Sequence, residues 1–387
     1  MRIGLLTDVY RPGFSGVANH VLLLKEVFEQ RGHTVYVFAF ERGSAVSNDP
    51  QVIYSPGIVL AANYPFGLSL SARATNLLRS MEILHIHQPF ASGRAALQAA
   101  RGCRVPMLFT SHTRYDLYTK SYLPFLPYGL TTAGIRQYMR WFGRKLAQII
   151  APSPSMAKLL KSWGVQAPIQ VIPNGINLRS FYPAPEQRSA LRQELALPED
   201  AFLYVFVGRI ADEKNIAFLL RSFRVLHGEQ AGARLVLVGG GPKLAQTQAE
   251  LQAAGLAGQV TMTGPVPYER VSQYLRAADV FVTASKTEVH PLTVIEAGAS
   301  GLPVIGLNAP GVAEIVQDGE TGLIAAEDPQ SFAAQMLVLV QDANLRQQMA
   351  GQARRVALTY SYEQTAERVL DCYQAILAIQ EDQRFRL

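Results

Sequence analysis

Cysteine is nearly absent, with only Cys103 and Cys372 in 387 residues. Two thiols cannot build a disulfide framework and are expected as reduced core residues. No apolar run approaches the ~20 residues of a membrane-spanning helix. Asp8 and Arg11 follow the first apolar stretch too soon for the core of a secretion signal. A cytoplasmic chain is therefore expected. No Gly-x-Gly-x-x-Gly follows the first predicted strand, which disfavours a nicotinamide-dependent dehydrogenase. The glycines at Gly239-Gly240-Gly241 lack the spacing and the lysine of a Walker loop. Repeats and low-complexity segments are also missing, as is any signature of an RNA- or DNA-binding module.

A hydrophobic content of 49% supports a globular chain, and the length suggests about two domains. Charge is unevenly divided. Residues 1–175 carry 18 Lys and Arg against 7 Asp and Glu, whereas residues 176–387 carry 18 against 23. A basic half points to an anionic surface, either nucleic acid or a membrane leaflet. Apolar runs suited to buried parallel strands fall at Ile3–Thr7, Val35–Phe40, Ile83–Ile86, Met107–Thr110, Ile149–Ala151 and Ile169–Ile172. A second set falls at Leu203–Val207, Arg234–Val238, Val260–Thr263, Val280–Thr283 and Val304–Ile305. Helical stretches lie between them, including Val17–Gln30, Ser153–Trp163, Ile216–His227, Pro242–Ala254 and Pro267–Ala277. This is an α/β, doubly wound pattern present twice, with a hinge expected at Pro173–Asn177. A last helix, about Ser361–Ile379, is expected to cross back onto the first domain.

The most informative stretch runs from Ser285 to Gly301, with seven residues between Glu288 and Glu296. An apolar strand precedes it. Pro291 suits the first helical position, where its missing N–H costs nothing. The N–H groups of Leu292, Thr293 and Val294 would then form an anion site. Carboxylates on either side can accept hydrogen bonds from paired hydroxyls. An anion site between two such acids suits a nucleotide sugar, with its diphosphate, ribose and hexose. Two solvated glutamates on an ordinary α/β helix would show the same spacing.

Arg209 and Lys214 stand five positions apart after a strand ending at Gly208. A forked cation and a point cation can grip one diphosphate and stabilise it as it departs; a surface arginine and lysine are the plain alternative. Gly239, Gly240 and Gly241 leave room for a base or ribose, or make a tight turn. The loop Pro12-Gly13-Phe14-Ser15-Gly16 could present backbone N–H groups to phosphate. His112 follows the strand Met107–Thr110, at the end where open sheets bind ligands, although a lone histidine is often structural. Across residues 118–148, aromatic residues interleave with Arg136, Arg140, Arg144 and Lys145. That pattern fits a membrane-interface helix or a core helix with a solvated basic face.

Taken together these residues resemble the retaining glycosyltransferases of GT-B fold, family four, over almost the whole chain. Arg209 and Lys214 match the family's phosphate-gripping pair, and Glu288 and Glu296 its paired glutamates. Val171–Asn177, Pro310–Val316 and Asp318–Leu323 match its other signatures. The resemblance implies two Rossmann-like domains facing across a cleft. Residues 1–175, with helix 361–387 crossing back, would bind the acceptor, and residues 176–360 the nucleotide sugar. It implies that Gly16, Arg209 and Lys214 hold the diphosphate and that Glu296 takes the ribose. Val266, in Gly264–Pro267, would border the base, with Gly239 and Gly241 also on the donor. His290, Pro291, Leu292 and Thr293 would line the donor site, and Glu288 and His112 would meet the sugar. His112, Arg209, Lys214 and Glu288 form the implied catalytic set. No metal and no cofactor are implied, and no Asp-x-Asp cluster is present.

The segments Ser111–Asp116 and Lys286–Glu288 with Leu292-Thr293 resemble those of the lipid-glycosylating members, such as diacylglycerol glucosyltransferases. This implies a UDP- or GDP-hexose donor, a lipid acceptor near Tyr115, Asp116 and Tyr118, and peripheral attachment of the basic half to an anionic membrane. Nucleic acid is not an implied partner. Ser15-Gly16 replaces the family's usual glycine pair, Gly240 an acidic residue, and Val289-His290 a glycine-rich pair. A soluble acceptor, GDP-mannose with a phospholipid acceptor, a nucleotide-sugar epimerase and a non-catalytic binding protein are the alternatives.

Overall fold

The computed structural model describes residues 1–11, 15–41, 47–59, 65–67, 69–122 and 127–385. Residues 12–14 of the first glycine loop and 123–126 of the aromatic segment lie outside the described residues. The chain divides into two compact units, Met1–Gly175 with Tyr362–Leu387, and Ile176–Ser361.

The first unit holds strands β1 (Arg2–Leu6), β2 (Thr34–Glu41) and β3 (Val52–Pro56), then the short β4 (Ile58–Val59) and β5 (Pro65–Phe66). β6 (Ile83–Ile86), β7 (Met107–Thr110), β8 (Gln148–Ala151) and β9 (Ile169–Val171) follow. Seven of them form a sheet in the order β3-β2-β1-β6-β7-β8-β9, and its neighbours pair in parallel. β4 and β5 pair antiparallel on their own. Parallel strands need crossovers, which place helices on both faces and bury the strands. This explains why β6 is buried along its whole length and why the sequence reads it as an unbroken apolar run. The final helix extends further than the sequence suggests, from Tyr362 to Phe385. Its Tyr362, Ala366, Val369, Leu370, Tyr373 and Ile376 pack into the core made by Ile3, Leu5, Val35, Val37, Leu108 and Ile150.

The second unit holds β10 (Phe202–Val207), β11 (Ala233–Val238), β12 (Val260–Gly264), β13 (Val280–Thr283), β14 (Val304–Leu307) and β15 (Gly322–Ala325). They form a parallel sheet in the order β12-β11-β10-β13-β14-β15. Alternate residues feed separate cores. Tyr204, Phe206, Leu235 and Leu237 pack on one face, and Leu203, Val205, Val236 and Val238 on the other, as the two-residue strand period requires. The entrances to β10 and β13 are clamped by a buried charge network. Asp279 accepts from Leu203 N at 2.8 Å and from Arg188 at 2.8 Å, and pairs with the fully buried Arg192 at 3.2 Å. Arg192 also donates to the carbonyls of Glu199 (2.7 Å) and Ala201 (2.8 Å). A buried charge survives only when paired and hydrogen-bonded. Both conditions are met here, so the two central strands are held in fixed register.

Each sheet reverses its strand order once, between β1 and β6 in the first unit and between β10 and β13 in the second. In open α/β sheets the loops leaving the carboxyl ends of such strands diverge and leave room for a ligand. Arg209 and Lys214 follow β10 and Glu288 follows β13, whereas His112 follows β7 and Gly239 and Gly241 follow β11.

Candidate active site

In the second unit, Arg209 and Lys214 leave β10 and Glu288 leaves β13. Ser285 Oγ donates to Glu213 O at 3.2 Å and ties the two loops together. Lys214 Nζ pairs directly with Glu288 Oε1, both side chains being about one-fifth exposed. Burial alone would raise the Glu288 carboxyl. The charge and hydrogen bond of Lys214, with a further bond from Ser285, outweigh it and hold the group below the ordinary carboxylate range. Arg209 binds Glu213 through Nη2 at 2.6 Å and Nε at 3.1 Å. The guanidinium side is 41% exposed and the Glu213 side chain only 6%. Each cation thus already faces a carboxylate, a chemical stand-in for phosphate oxygen. Gly311 packs against the same place. It has φ +79°, and a Cβ there would lie 2.6 Å from Glu288 O. Glycine is required for that close approach.

The helix Leu292–Ala299 follows, with a difference from expectation. Pro291 is the residue before the first helical turn rather than within it, and Val294 N donates back to Pro291 O at 3.2 Å. The expected anion site therefore reduces to the N–H groups of Leu292 and Thr293. Glu296 is 2% exposed, and its Oε1 accepts from Tyr268 Oη at 2.7 Å. Burial pushes its carboxyl up to about 7, with the tyrosine bond pulling the other way. The two glutamates thus differ in character. One is held ionised by a lysine, and the other resists ionisation until a partner reaches it. His290 is 8% exposed, lies edge-on to Tyr360 at 5.3 Å, and is pushed down to about 4 by burial. Its Nδ1 has no hydrogen-bond partner.

The glycines after β11 serve a different purpose from the one expected. A Cβ on Gly239 would fall 2.0 Å from Gly208 O, one on Gly240 2.5 Å from Pro265, and one on Gly241 2.3 Å from Ile210 O. Ile210 N donates to Gly240 O at 2.8 Å. The side-chain space at Gly239 and Gly241 is taken up by neighbouring loop backbone and that at Gly240 by Pro265, which accounts for the glycines through the tight-turn alternative. Val266 is half-buried against the sheet core, and Tyr268, two residues on, carries the bond to Glu296. The segment proposed to border a base is therefore coupled to the acid proposed for the ribose.

In the first unit, Ser15 Oγ accepts from Ala18 N at 3.2 Å and caps the helix Gly16–Gln30, of which Gly16 is the first residue. The serine that replaces a family glycine thus takes up one N–H that a phosphate would otherwise receive. His112 is not a lone histidine. It shares a hydrogen bond with His87 at 3.0 Å, and its ring centroid lies 4.9 Å from that of His20. Burial, together with the neighbouring rings, pushes His87 and His112 well below the usual imidazole range. His85 is committed elsewhere, bonded to Tyr373 Oη at 2.7 Å and Thr110 Oγ1 at 2.6 Å. Tyr115 lies edge-on to Phe90, and Tyr118 is half-buried. Asp116 is 5% exposed and gripped by Arg114 through two bonds at 2.8 and 3.0 Å. Asp116 is thus a buried ion-pair partner of Arg114. In the helix Tyr128–Gly143, Arg140 turns in to the Trp163 carbonyl, while Arg136, Arg144 and Lys145 stay exposed. Leu130 (65% exposed) and Trp141 (44%) are also at the surface. Among the described residues, no helix is long and apolar enough to cross a membrane.

Sequence reasoning missed Glu213, Tyr268, His20 and His87. Glu213 and Tyr268 carried a local signal, the one lying between Arg209 and Lys214 and the other next to Gly264–Pro267. His20 and His87 are brought to His112 by strand order, which no short motif encodes.

Comparison with known proteins agrees with this architecture. The Glycosyltransferase Family 4 model matches residues 14–180, and the Glycosyl transferases group 1 model matches residues 187–356. The alpha-monoglucosyldiacylglycerol synthase of Acholeplasma laidlawii is 30% identical over 335 residues, which is 84% of each chain. The Streptococcus pneumoniae protein of that name is 30% identical over 334 residues, covering 84% of this chain and 75% of the relative. Anabaena HepE in complex with UDP-glucose superposes with a TM-score of 0.81 at 19% identity, covering 97% of this chain and 100% of that one. The chain belongs to the GT-B glycosyltransferases of family four.

Proposed function

We propose that this glycosyltransferase moves glucose from UDP-glucose to the free hydroxyl of diacylglycerol at a membrane surface, keeping the anomeric configuration. The observation that carries the reading is the convergence of Arg209, Lys214 and Glu288 on the loops at the β10/β13 reversal, with Glu296 on the helix that follows. The names of the two relatives at 30% identity support glucose and diacylglycerol. A structural neighbour that holds UDP-glucose supports the donor.

In this reading the pyrophosphate replaces Glu213 and Glu288 as partner of Arg209 and Lys214. Glu288 is released to accept bonds from hexose hydroxyls. Glu296 accepts from the ribose, and the incoming hydroxyls favour its ionised form. The bond between the anomeric carbon and phosphate oxygen breaks, and Arg209 and Lys214 take up the charge gained by UDP. The acceptor hydroxyl adds to the same face, and its proton passes to the departing phosphate oxygen. No carboxylate nucleophile is invoked. In the first unit His112 and Tyr115 are assigned to the sugar and the acceptor, with Asp116 acting through Arg114.

Residues Tyr128, Leu130, Arg136, Trp141, Arg144 and Lys145 make the lipid contact. Each cation contributes about 1 kcal/mol at an anionic leaflet. The test is incubation of the purified chain with UDP-glucose and diacylglycerol-bearing vesicles, run with flotation. Anionic vesicles are expected to float the protein and yield a glucosyl lipid with the donor's anomeric configuration. The R136Q/R144Q/K145Q variant should lose about 100-fold in vesicle association and keep its UDP affinity. UDP-glucose consumed without any lipid product, or a glucosyl lipid of inverted configuration, would overturn the proposal.

A further inference from the structure

We propose that His20, His87 and His112 form a binding site for a divalent transition metal ion, zinc above all, and that filling it switches transfer off. The three imidazoles come from separate elements: the helix Gly16–Gln30, the residue just after β6, and the loop after β7. Their ligating atoms all lie within 4.8 Å of one another. His87 Nδ1 and His112 Nε2 are 3.0 Å apart. Two nitrogens bound tetrahedrally to one zinc at 2.0–2.1 Å sit about 3.3 Å apart, so His87 and His112 need only a small adjustment, while His20 closes the remaining separation within the 4.8 Å limit by moving inward.

The surroundings suit an ion as well. His87 is fully buried and His20 is 5% exposed, whereas His112 is half-buried. Two ligands are therefore fixed by packing, and the third faces an accessible side. Three protein ligands with one open position is the arrangement of exchangeable rather than structural zinc. His87 is packed from behind by His85, whose ring lies 4.2 Å away and is itself held by Tyr373 and Thr110. A ligand supported in this way keeps its orientation. Imidazole nitrogens favour zinc, copper and nickel over magnesium or calcium.

The inhibitory consequence rests on the role proposed for His112, since a metal-bound imidazole cannot also meet the sugar. The site itself does not depend on that role. The test uses untagged protein and cobalt(II) as a visible probe, followed by zinc. One equivalent of cobalt should bind and give visible absorption bands that zinc abolishes, and zinc should raise Tm. H20A and H87N should each weaken cobalt binding about 100-fold or more, with circular dichroism confirming that they fold. H20A, at a residue assigned no part in transfer, should also lose inhibition by zinc. Absence of cobalt binding to the wild type, or binding unchanged in both variants, would overturn the site. Stoichiometric zinc binding with undiminished transfer would keep the site and overturn the switch, and with it the role given to His112.

Discussion

Lys214→Ala is expected to lower kcat by about 100- to 1,000-fold, the range seen when one preorganised donor to a developing anion is removed. The loss should fall on kcat more than on KM, because the charge on the leaving diphosphate grows as the bond breaks. The same substitution should cost roughly 2 kcal/mol of stability, since it strands Glu288 in a site where burial opposes its charge. The sign can be checked by titration. Glu288 is held below its ordinary range, so its pairing stabilises the fold above pH 4.5. That stabilisation is lost as pH falls through the folded value. Lys214→Ala should reverse this pH dependence, because burial then raises the Glu288 carboxyl, and the K214A/E288Q pair should recover most of the lost Tm while remaining inactive. A Lys214→Ala protein with near-normal kcat would remove the central cation from the mechanism.

Glu296→Gln is expected to act in the opposite sense on stability. The folded carboxyl titrates at about 7 against 4.5 for the exposed group. Between those values the unfolded chain is ionised while the folded one keeps its proton, so rising pH favours unfolding. Above pH 7 both are ionised and the penalty is constant, at about 3 kcal/mol. An amide at this position escapes that penalty and still accepts from Tyr268. The variant should therefore match the wild type below pH 4.5 and gain Tm steadily up to pH 7. Its donor affinity should fall about 100-fold, because charged acceptors bind hydroxyls more strongly than amides do. Greater stability with weaker UDP binding is a combination that a merely structural glutamate would not give. Measurement of Tm against pH, with calorimetric UDP titration, checks both.

How much of this was legible follows from the chemistry of each element. The parallel strands were read easily, since burial on both faces demands unbroken apolar runs such as Ile83–Ile86 and Val280–Thr283. β3 and β15 were not, although the other two edge strands, β9 and β12, were legible despite their own partly exposed residues. Arg209, Lys214, Glu288 and Glu296 were legible as a set because their spacing is fixed by strand-to-helix turns. Their ligand-free partners were not. Glu213, though it lies between Arg209 and Lys214, looks like any acidic residue in a first helical turn, and the 6% exposure of its side chain reveals its place against Arg209. The glycines after β11 left a base site and a tight turn both open, because a need for space does not say what fills it. His112 appeared alone because His20 and His87 reach it only through the order β1-β6-β7.

A structure of this chain with UDP bound tests the central claim most directly. Arg209 and Lys214 should be found on the pyrophosphate oxygens, displaced from Glu213 and Glu288, with both ribose hydroxyls on Glu296 and Tyr268 still bonded to that carboxylate. UDP seated elsewhere, with the Lys214–Glu288 and Arg209–Glu213 pairs intact, would contradict it.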